Sequence, residues 1–452
     1  MSNLKNENFL QAKFFYEKGI IFFKQDKFLE AENCFEDSNK LAPDRISVLT
    51  NLAAVKIKLR KFSEVKNICN YILSIDQNNI DAMLHLSIAY GEELNFFNAL
   101  KLIKKIEKKF HSNFSEVLIY KSVLLNRLGK FHKAMDCYKK ILINDSNNIH
   151  AKWNQSLSNL RLGNFQEGWK NYHYRFLKDK KIKKKFQNIS YPVLSRQNLY
   201  KKKLVIWHEQ GYGDTIQFIR YVKHFEKYSC DIYLDIPKKL EELFLYLNTK
   251  IKINVADNYD YQCSVMDLPI IFNESFKNIK DSTPYFNLPE NLVFEHRKYL
   301  KKNSKLNVGI AWSGRKNWTY NDLRSISLEQ LKPILSLQNK FNFYCLHQVE
   351  DLNEKNEIKE KNIEYLGDLN FLSTACFIQN LDLVISVDTS ILHLSGSLDQ
   401  KTIGLLPVGS DWRWFLDIKY SPWYKSIHLY RSNNIGNWSK VILNLKDYLL
   451  KL

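Results

Sequence analysis

Nowhere in the 452-residue chain is there a run of about 18 apolar residues, so no segment is expected to cross a membrane. The opening stretch MSNLKNENFLQAKFFYEKG has no basic region followed by an apolar run and a small-residue cleavage site, which argues against a secretory signal. Seven cysteines are scattered without a CxxC pair, and Cys34, Cys69 and Cys137 fall at apolar positions of helical patterns. Reduced, buried thiols in a cytoplasmic protein are the expectation. GxGxxG after a strand and GxxxxGK[ST] are also missing, which removes the main support for dinucleotide oxidoreductase and P-loop readings.

Positive charge, by contrast, is abundant: the net charge is +19. Most of it is dispersed lysine among many Asn, Ile, Phe and Tyr, a compositional bias that needs no polyanionic partner, so no nucleic acid is expected. The one dense cluster is KDKKIKKKF at 178–186. Two readings of it stay open, a solvated linker and a peripheral patch for acidic lipid or sugar phosphate.

The length implies two or three domains, and 45% hydrophobic residues with 14% aromatics are those of a globular chain. Short cues recur through the first part: DKFLEAENCFE, RKFSEVKNICN, NFFNALKLIKK, GKFHKAMDCYK and GNFQEGWKNYH. Aligning Phe28, Phe62, Phe97, Phe131 and Phe165 gives spacings of 34, 35, 34 and 34. That is the period of the tetratricopeptide repeat, a helix-turn-helix unit stacked into a solenoid. The aromatic opens the second helix, and a small side chain near the third position after it (Ala31, Val65, Ala99, Ala134, Gly168) lets helices approach. Turns such as LAPD (41–44) and NDSNN (144–148) end each unit. The segment resembles the tetratricopeptide family in phase and cue residues, and its concave face is expected to bind a protein partner.

From residue 201 onward strand-like and helical runs alternate. LVIW (204–207), DIYLDI (231–236), INV (253–255) and CSVM (263–266) form one series, with helices over 217–228 and 238–248. LNVGIAW (306–312), FNFYCL (341–346), IEYL (363–366), DLVISV (382–387) and TIGLL (402–406) form a second. Such alternation predicts parallel α/β sheets, and the charged stretch EHRKYLKKNSK (295–305) divides them into two Rossmann-like lobes with a cleft between. The expected layout is repeats over 1–177, a basic linker over 178–200, a first lobe over 201–300, and a second lobe with a C-terminal helix over 301–452.

Three loops leave the carboxyl ends of strands, where open α/β sheets bind ligands. In WHEQGYGDTIQF (207–218) His208, Glu209, Gln210, Gly211, Gly213 and Asp214 precede or begin a helix. The glycines would let the backbone pass close to a ligand, and a helix start would depress the Asp214 pKa. Asp214 as a plain helix cap is the competing reading. In DLVISVDTSILHLSG (382–396) a helix starting near Ser390 can hold an anion on its amides, with Thr389, Ser390 and His393 as further donors. Asp388 or Thr389 as a cap and His393 as a satisfied core residue is the alternative. In WSGRKNWTYNDLRSI (312–326) Arg315, Lys316 and Arg324 offer charge for a diphosphate, or are simply solvated.

The pairing of EQGYGDTIQFIRYV (209–222) with SVDTSILHLSGSL (386–398) and LLPVGSDWRWF (405–415), together with MDLP (266–269) and SPWY (421–424), resembles the heptosyltransferase-like glycosyltransferases of family nine, in the branch fused to tetratricopeptide repeats. It covers essentially the whole chain. The resemblance implies an α-helical repeat solenoid followed by a GT-B unit. It implies transfer of a sugar from a nucleotide-sugar donor with inversion, without a metal or other cofactor. It places a general base at Asp214 and donor-phosphate contacts at Thr389, Ser390 and His393, with Asp388 orienting their loop. No motif fixes the cation for the diphosphate, for which Arg324 is chosen ahead of Lys316, and His208 and Glu209 are expected on the acceptor side from their place in the turn, which the resemblance does not settle. The repeats would recruit a protein or glycan acceptor. Two further readings stand beside this one, a non-catalytic repeat scaffold with a vestigial nucleotide-sugar site and a protein O-glycosyltransferase of similar architecture.

Overall fold

The computed structural model describes residues 2–110, 114–178, 196–253, 258–279, 282–314 and 321–452. It divides into two compact units, Met1–Lys152 and Trp153–Leu452. The first is built of helix pairs: Ser2–Lys24 with Phe28–Leu41, Ile46–Lys58 with Phe62–Ile75, Ile80–Glu92 with Phe96–Phe110, and Ser115–Arg127 with Phe131–Asn144. Ala31, Val65, Ala99 and Ala134 are fully buried, as the small-residue positions require.

In the third pair the helix opens on Phe96, not on the Phe97 that the spacing suggested. Phe96 is 6% exposed and Phe97 78%. The turn explains the shift, because each pair bends through a left-handed residue two positions before its aromatic: Asp26, Arg60, Leu94, Gly129 and Gly163. Leu94 fixes Phe96. Only two of these five turns use glycine, so the bend is poorly marked in the sequence.

Within this unit Glu32, Glu36 and Glu64 converge closely enough to suit a metal ion. Their position is taken by the buried Lys56 ammonium, at 2.7, 2.9 and 2.6 Å. The lysine neutralises charge that the small repeat core could not otherwise bury.

The unit boundary falls inside the helix Ile149–Arg161. The remainder of the fifth in-phase repeat, with the helix Phe165–Lys170 and the short helix Tyr174–Lys178, packs into the second unit instead of ending the first. Phe165, Trp169 and Tyr172 join one core with Phe218, Trp412, Phe415 and Trp423. Phe165 stacks on Phe415 at 5.8 Å, and Trp169 meets Trp412 edge-on at 5.5 Å. Aromatic burial of this size is worth several kcal/mol and draws the segment away from a purely helical stack. Most of the basic cluster at 178–186 lies outside the described residues.

The second unit holds two parallel sheets. The first has the order β3-β2-β1-β4, with β1 Lys203–Trp207, β2 Asp231–Asp235, β3 Lys252–Ile253 and β4 Tyr261–Ser264. The second has the order β10-β9-β8-β5-β6-β7, with β5 Leu306–Ala311, β6 Phe341–Cys345, β7 Glu364–Tyr365, β8 Leu383–Val387, β9 Thr402–Leu406 and β10 Ile427–Arg431. β6, β8 and β9 are buried along their whole length, which is why they read as unbroken apolar runs.

Three local expectations are corrected. β4 stops at Ser264, whose hydroxyl accepts the Met266 amide at 3.0 Å and turns the chain. The helix expected over 217–228 is α-helical only through Tyr212–Phe218 and then tightens to 3₁₀ geometry over Ile219–Tyr228. There the buried Arg220 takes up the Gln217 carbonyl at 2.9 Å. β10 was not expected, since IHLYR is half-exposed at a sheet edge and mixes His and Arg into its alternation.

Candidate functional site

β1 delivers the turn His208–Asp214 from its carboxyl end. The His208 amide bonds the Asp235 carbonyl at 2.8 Å and its Nδ1 lies 2.6 Å from Thr215 Oγ1. Gln210 adopts a left-handed φ of 67°, and the helix Tyr212–Phe218 follows with Gly211 as its cap residue. Asp214 is therefore the third residue of that helix, not its cap, and its Oδ2 accepts the Gly211 amide at 2.7 Å.

The other oxygen, Oδ1, meets Arg413 Nη2 at 2.5 Å. Arg413 is buried, and its Nη1 also donates to Asp411 Oδ1 at 2.6 Å. Burial raises the Asp214 pKa, Arg413 opposes it and Asp411 adds to it, and the net shift is upward. The helix start led to the expectation of a depressed value; here desolvation is the largest cause and outweighs both Arg413 and the Gly211 amide bond. The Asp411 carboxyl, also desolvated, stays below the usual range because Arg413 bonds it through both side chain and amide.

β8 delivers Asp388, Thr389 and the helix Ser390–Ser397. Thr389, the cap residue, makes no side-chain bond to that helix start, and its Oγ1 lies 3.3 Å from Ser386 Oγ. His393 is buried on its first turn, with Nδ1 3.1 Å from the Tyr424 hydroxyl and its ring stacked on Trp414 at 5.1 Å. Burial, with Arg413 and other arginines near, pushes its pKa down to about 3. The imidazole is neutral at any pH where the protein would work. Asp388, half-buried and acted on by the Asp411 charge, rises to about 6.

The third loop follows β5. Arg324, from the short helix Asn321–Arg324, donates from Nη1 to the Asp388 carbonyl at 2.6 Å and from Nε to Asn321 Oδ1 at 3.3 Å. A Cβ on Gly314 would sit 2.3 Å from the Arg324 Nη2, so glycine there makes room for the guanidinium. Lys316 and Arg315 lie outside the described residues.

These loops meet. A Cβ on Gly213 would stand 2.7 Å from His393 Cδ2 and 3.3 Å from Ser390 Cα. Gly213 is needed for contact between the two loops, where the sequence had suggested room for a ligand. Asp214, Ser390, His393 and Arg324 are thereby brought to one place. Glu209 is not among them. It is buried, paired with Arg175 at 2.8 Å and bonded by Ser264 Oγ at 2.5 Å, so it faces the protein interior.

The sequence reading missed Arg413, Asp411, Arg175 and Tyr424. Asp411 and Arg413 stood in the aromatic string DWRW and Tyr424 in SPWY, both quoted without a role for these residues, and Arg175 stood in YHYRF. Nothing local announces that Arg413 pairs with Asp214, about 200 positions away in sequence on another strand end.

The family model for glycosyltransferase family 9 (heptosyltransferase) matches residues 345–437. That span holds Asp388, Thr389, Ser390, His393, Asp411 and Arg413, and it excludes Asp214 and Arg324. Protein FlbA of Caulobacter vibrioides is 22% identical over 455 residues, covering 90% of this chain and 74% of that protein. A glycosyltransferase family 9 structure from Veillonella parvula is 11% identical, with a TM-score of 0.43, and covers 56% of this chain and 96% of that one. A tetratricopeptide-repeat protein of Thermus thermophilus is 16% identical, with a TM-score of 0.35, and covers 39% of this chain and 97% of that one. The chain is thus similar to glycosyltransferase family 9 over residues 345–437, and its N-terminal helix pairs carry the period of the tetratricopeptide repeat.

Proposed function

We propose that the second unit transfers a sugar, with inversion and in a GT-B arrangement, from a nucleotide-sugar donor to an acceptor hydroxyl. The observation that carries this reading is the meeting of the Gly213–Asp214 turn with the Ser390–His393 helix start beside Arg324. A nucleotide diphosphate at the Ser390 helix start would receive donors from its amides, from Thr389 and Ser390, and from Arg324. In the tautomer whose Nδ1 accepts from Tyr424, neutral His393 would offer its Nε2 hydrogen to charge growing on the leaving phosphate. Asp214 would take the acceptor proton; its raised pKa suits a base better than that of a free aspartate. Lys316 is a second candidate cation by sequence. His208, Gln210 and Gly211 would border the acceptor.

Arg413 is taken up by Asp214 and Asp411, so Arg324 and the amides of the Ser390 helix start are the groups proposed to stabilise a leaving diphosphate without a metal. Turnover is expected to survive chelation; complete loss in EDTA, restored by Mn²⁺ or Mg²⁺, would overturn that part. The repeat array is proposed to recruit the acceptor, a protein or a glycan, on its concave face. A cytoplasmic location fits seven cysteines that form no disulfide. Among the described residues no helix is long and apolar enough to cross a membrane.

A panel of UDP-, GDP-, ADP- and CMP-linked sugars, screened by thermal shift and then for slow hydrolysis, tests the activity. A ligand at 100 times its Kd adds about 2.7 kcal/mol of stability. Absence of both binding and hydrolysis across the panel would count against it.

A further inference from the structure

We propose that Arg175, carried by the last in-phase repeat, is a positioning residue for the acceptor-side turn: its guanidinium fixes Glu209 against Asp267 and so sets the course of the backbone from Trp207 to Asp214. The inference rests on the glycosyl-transfer reading for its meaning, and on geometry for its content. Arg175 Nε donates to Glu209 Oε1 at 2.8 Å, and Nη2 reaches Glu209 Oε2 at 3.1 Å and Asp267 Oδ1 at 2.6 Å. Its Nη1 donates to the Tyr172 carbonyl at 3.1 Å. All three charged side chains are almost fully buried.

One guanidinium therefore ties together the ends of two neighbouring strands, β1 through Glu209 and β4 through Asp267. Ser264 Oγ adds a bond to Glu209 at 2.5 Å from the last residue of β4. A flat fork bonded in three directions fixes orientation in a way that a lysine ammonium does not. The guanidinium is itself held between the rings of Phe176 at 3.9 Å and Tyr172 at 4.6 Å.

The clamp sits where the chain has most need of it. Glu209 directly precedes Gln210, whose left-handed backbone is disfavoured for a residue with a Cβ. Gly211 then gives its amide to Asp214. The turn is thus pinned at residue 208 by β2, at 209 by Arg175 and at 211 by Asp214 itself. Tyr172 stands between this ionic cluster and the next: its fully buried hydroxyl has no hydrogen-bond partner among the described residues, and the charges acting on it are those of Arg413, Arg175, Glu209 and Asp214. Tyr172 and Arg175 both belong to the repeat period by sequence and to the second unit by packing. The motif MDLP acquires a reason as well, since Asp267 is the far anchor of the clamp.

The test uses the full-length protein. Arg175→Lys keeps the charge and loses the fork. Amide hydrogen exchange over residues 208–214 should rise tenfold or more, with residues 388–393 unchanged. For any nucleotide sugar that the wild type hydrolyses, affinity for its nucleoside diphosphate should stay within twofold while the hydrolysis rate falls tenfold or more. Exchange at 208–214 unchanged from wild type would overturn the proposal, as would affinity and rate falling together with a general rise in exchange. Should Arg175→Lys not fold, Ser264→Ala removes one bond to Glu209 and should raise exchange at the same amides to a smaller degree. The exchange measurement needs no substrate, so it decides the positioning role even if no nucleotide sugar is turned over, an outcome that would count against the glycosyl-transfer reading alone.

Discussion

With Arg413 at 2.5 Å and the Gly211 amide at 2.7 Å, both carboxylate oxygens of Asp214 are occupied, and a base here must release one partner as it takes a proton. Asp214→Asn offers one acceptor oxygen and can serve only one of the two, while Asp411 still pairs with Arg413. Turnover should fall roughly a hundredfold, the scale of a positioned general base, with donor affinity little changed. Near-wild-type single-turnover rates in that variant would assign Asp214 to structure. Asp388 gives a prediction in pH. Its folded pKa of about 6 lies above the ordinary aspartate value of 3.8, so the native state holds this proton more tightly than the unfolded chain does. That contribution to stability is complete below the unfolded value and is lost as pH rises through the folded one. Asp388→Asn should match wild type near pH 4 and exceed it above pH 6, by up to about 3 kcal/mol. Denaturant midpoints across that range check it, and a gap that does not grow with pH would contradict it.

At the scale of elements, the site depends on how closely the helix Tyr212–Phe218 approaches the helix Ser390–Ser397. Gly213→Ala places a methyl against His393 and the Ser390 backbone, and overpacking of that kind costs about 1–3 kcal/mol. Gly211→Ala meets only the Asp214 side chain, at 3.0 Å, and should cost less. Comparing the two by denaturant titration separates contact between the loops from simple turn flexibility. In the loop after β5, Arg324→Ala should weaken nucleoside-diphosphate binding by about 1.5–3 kcal/mol, the loss expected for a charge-assisted bond. Calorimetry showing equal affinity would exclude that loop from the donor site.

For the whole molecule, the sequence suggests cutting the α/β part free near Gln197, and the packing argues otherwise. Such a fragment loses Phe165, Trp169, Tyr172 and Arg175. It exposes Trp412, Phe415 and Trp423 and leaves Glu209 and Asp267 buried without their cation. Removing one partner of a buried ion pair costs about 3–5 kcal/mol, and lost aromatic burial adds to it. Residues 197–452 are expected to be insoluble or unfolded. A fragment from Asn148 retains the residue whose side chain accepts the Ala151 amide at 3.0 Å at the start of the helix Ile149–Arg161. It should fold cooperatively and bind nucleoside diphosphate like the full chain. Equal behaviour of the two fragments, by circular dichroism and calorimetry, would refute the assignment of 153–178 to the second unit.

Period and alternation by themselves determined the repeats, the two parallel sheets and the three strand-end loops, because helix and strand burial impose spacings of 3.6 and 2 on the chain whatever lies opposite. The Asp214, Thr389, Ser390, His393 and Arg324 loops were legible for the same reason: glycine, hydroxyl and charged residues gather where a strand gives way to a helix. Only the tertiary structure decided that Glu209 faces inward to Arg175, that Gly213 serves a helix contact, that Arg413 holds Asp214, and that most of the fifth repeat belongs to the second unit. Each of those depends on partners distant in sequence, and whether a carboxylate is free, paired or desolvated is a property of the enclosing shell, which no local pattern encodes.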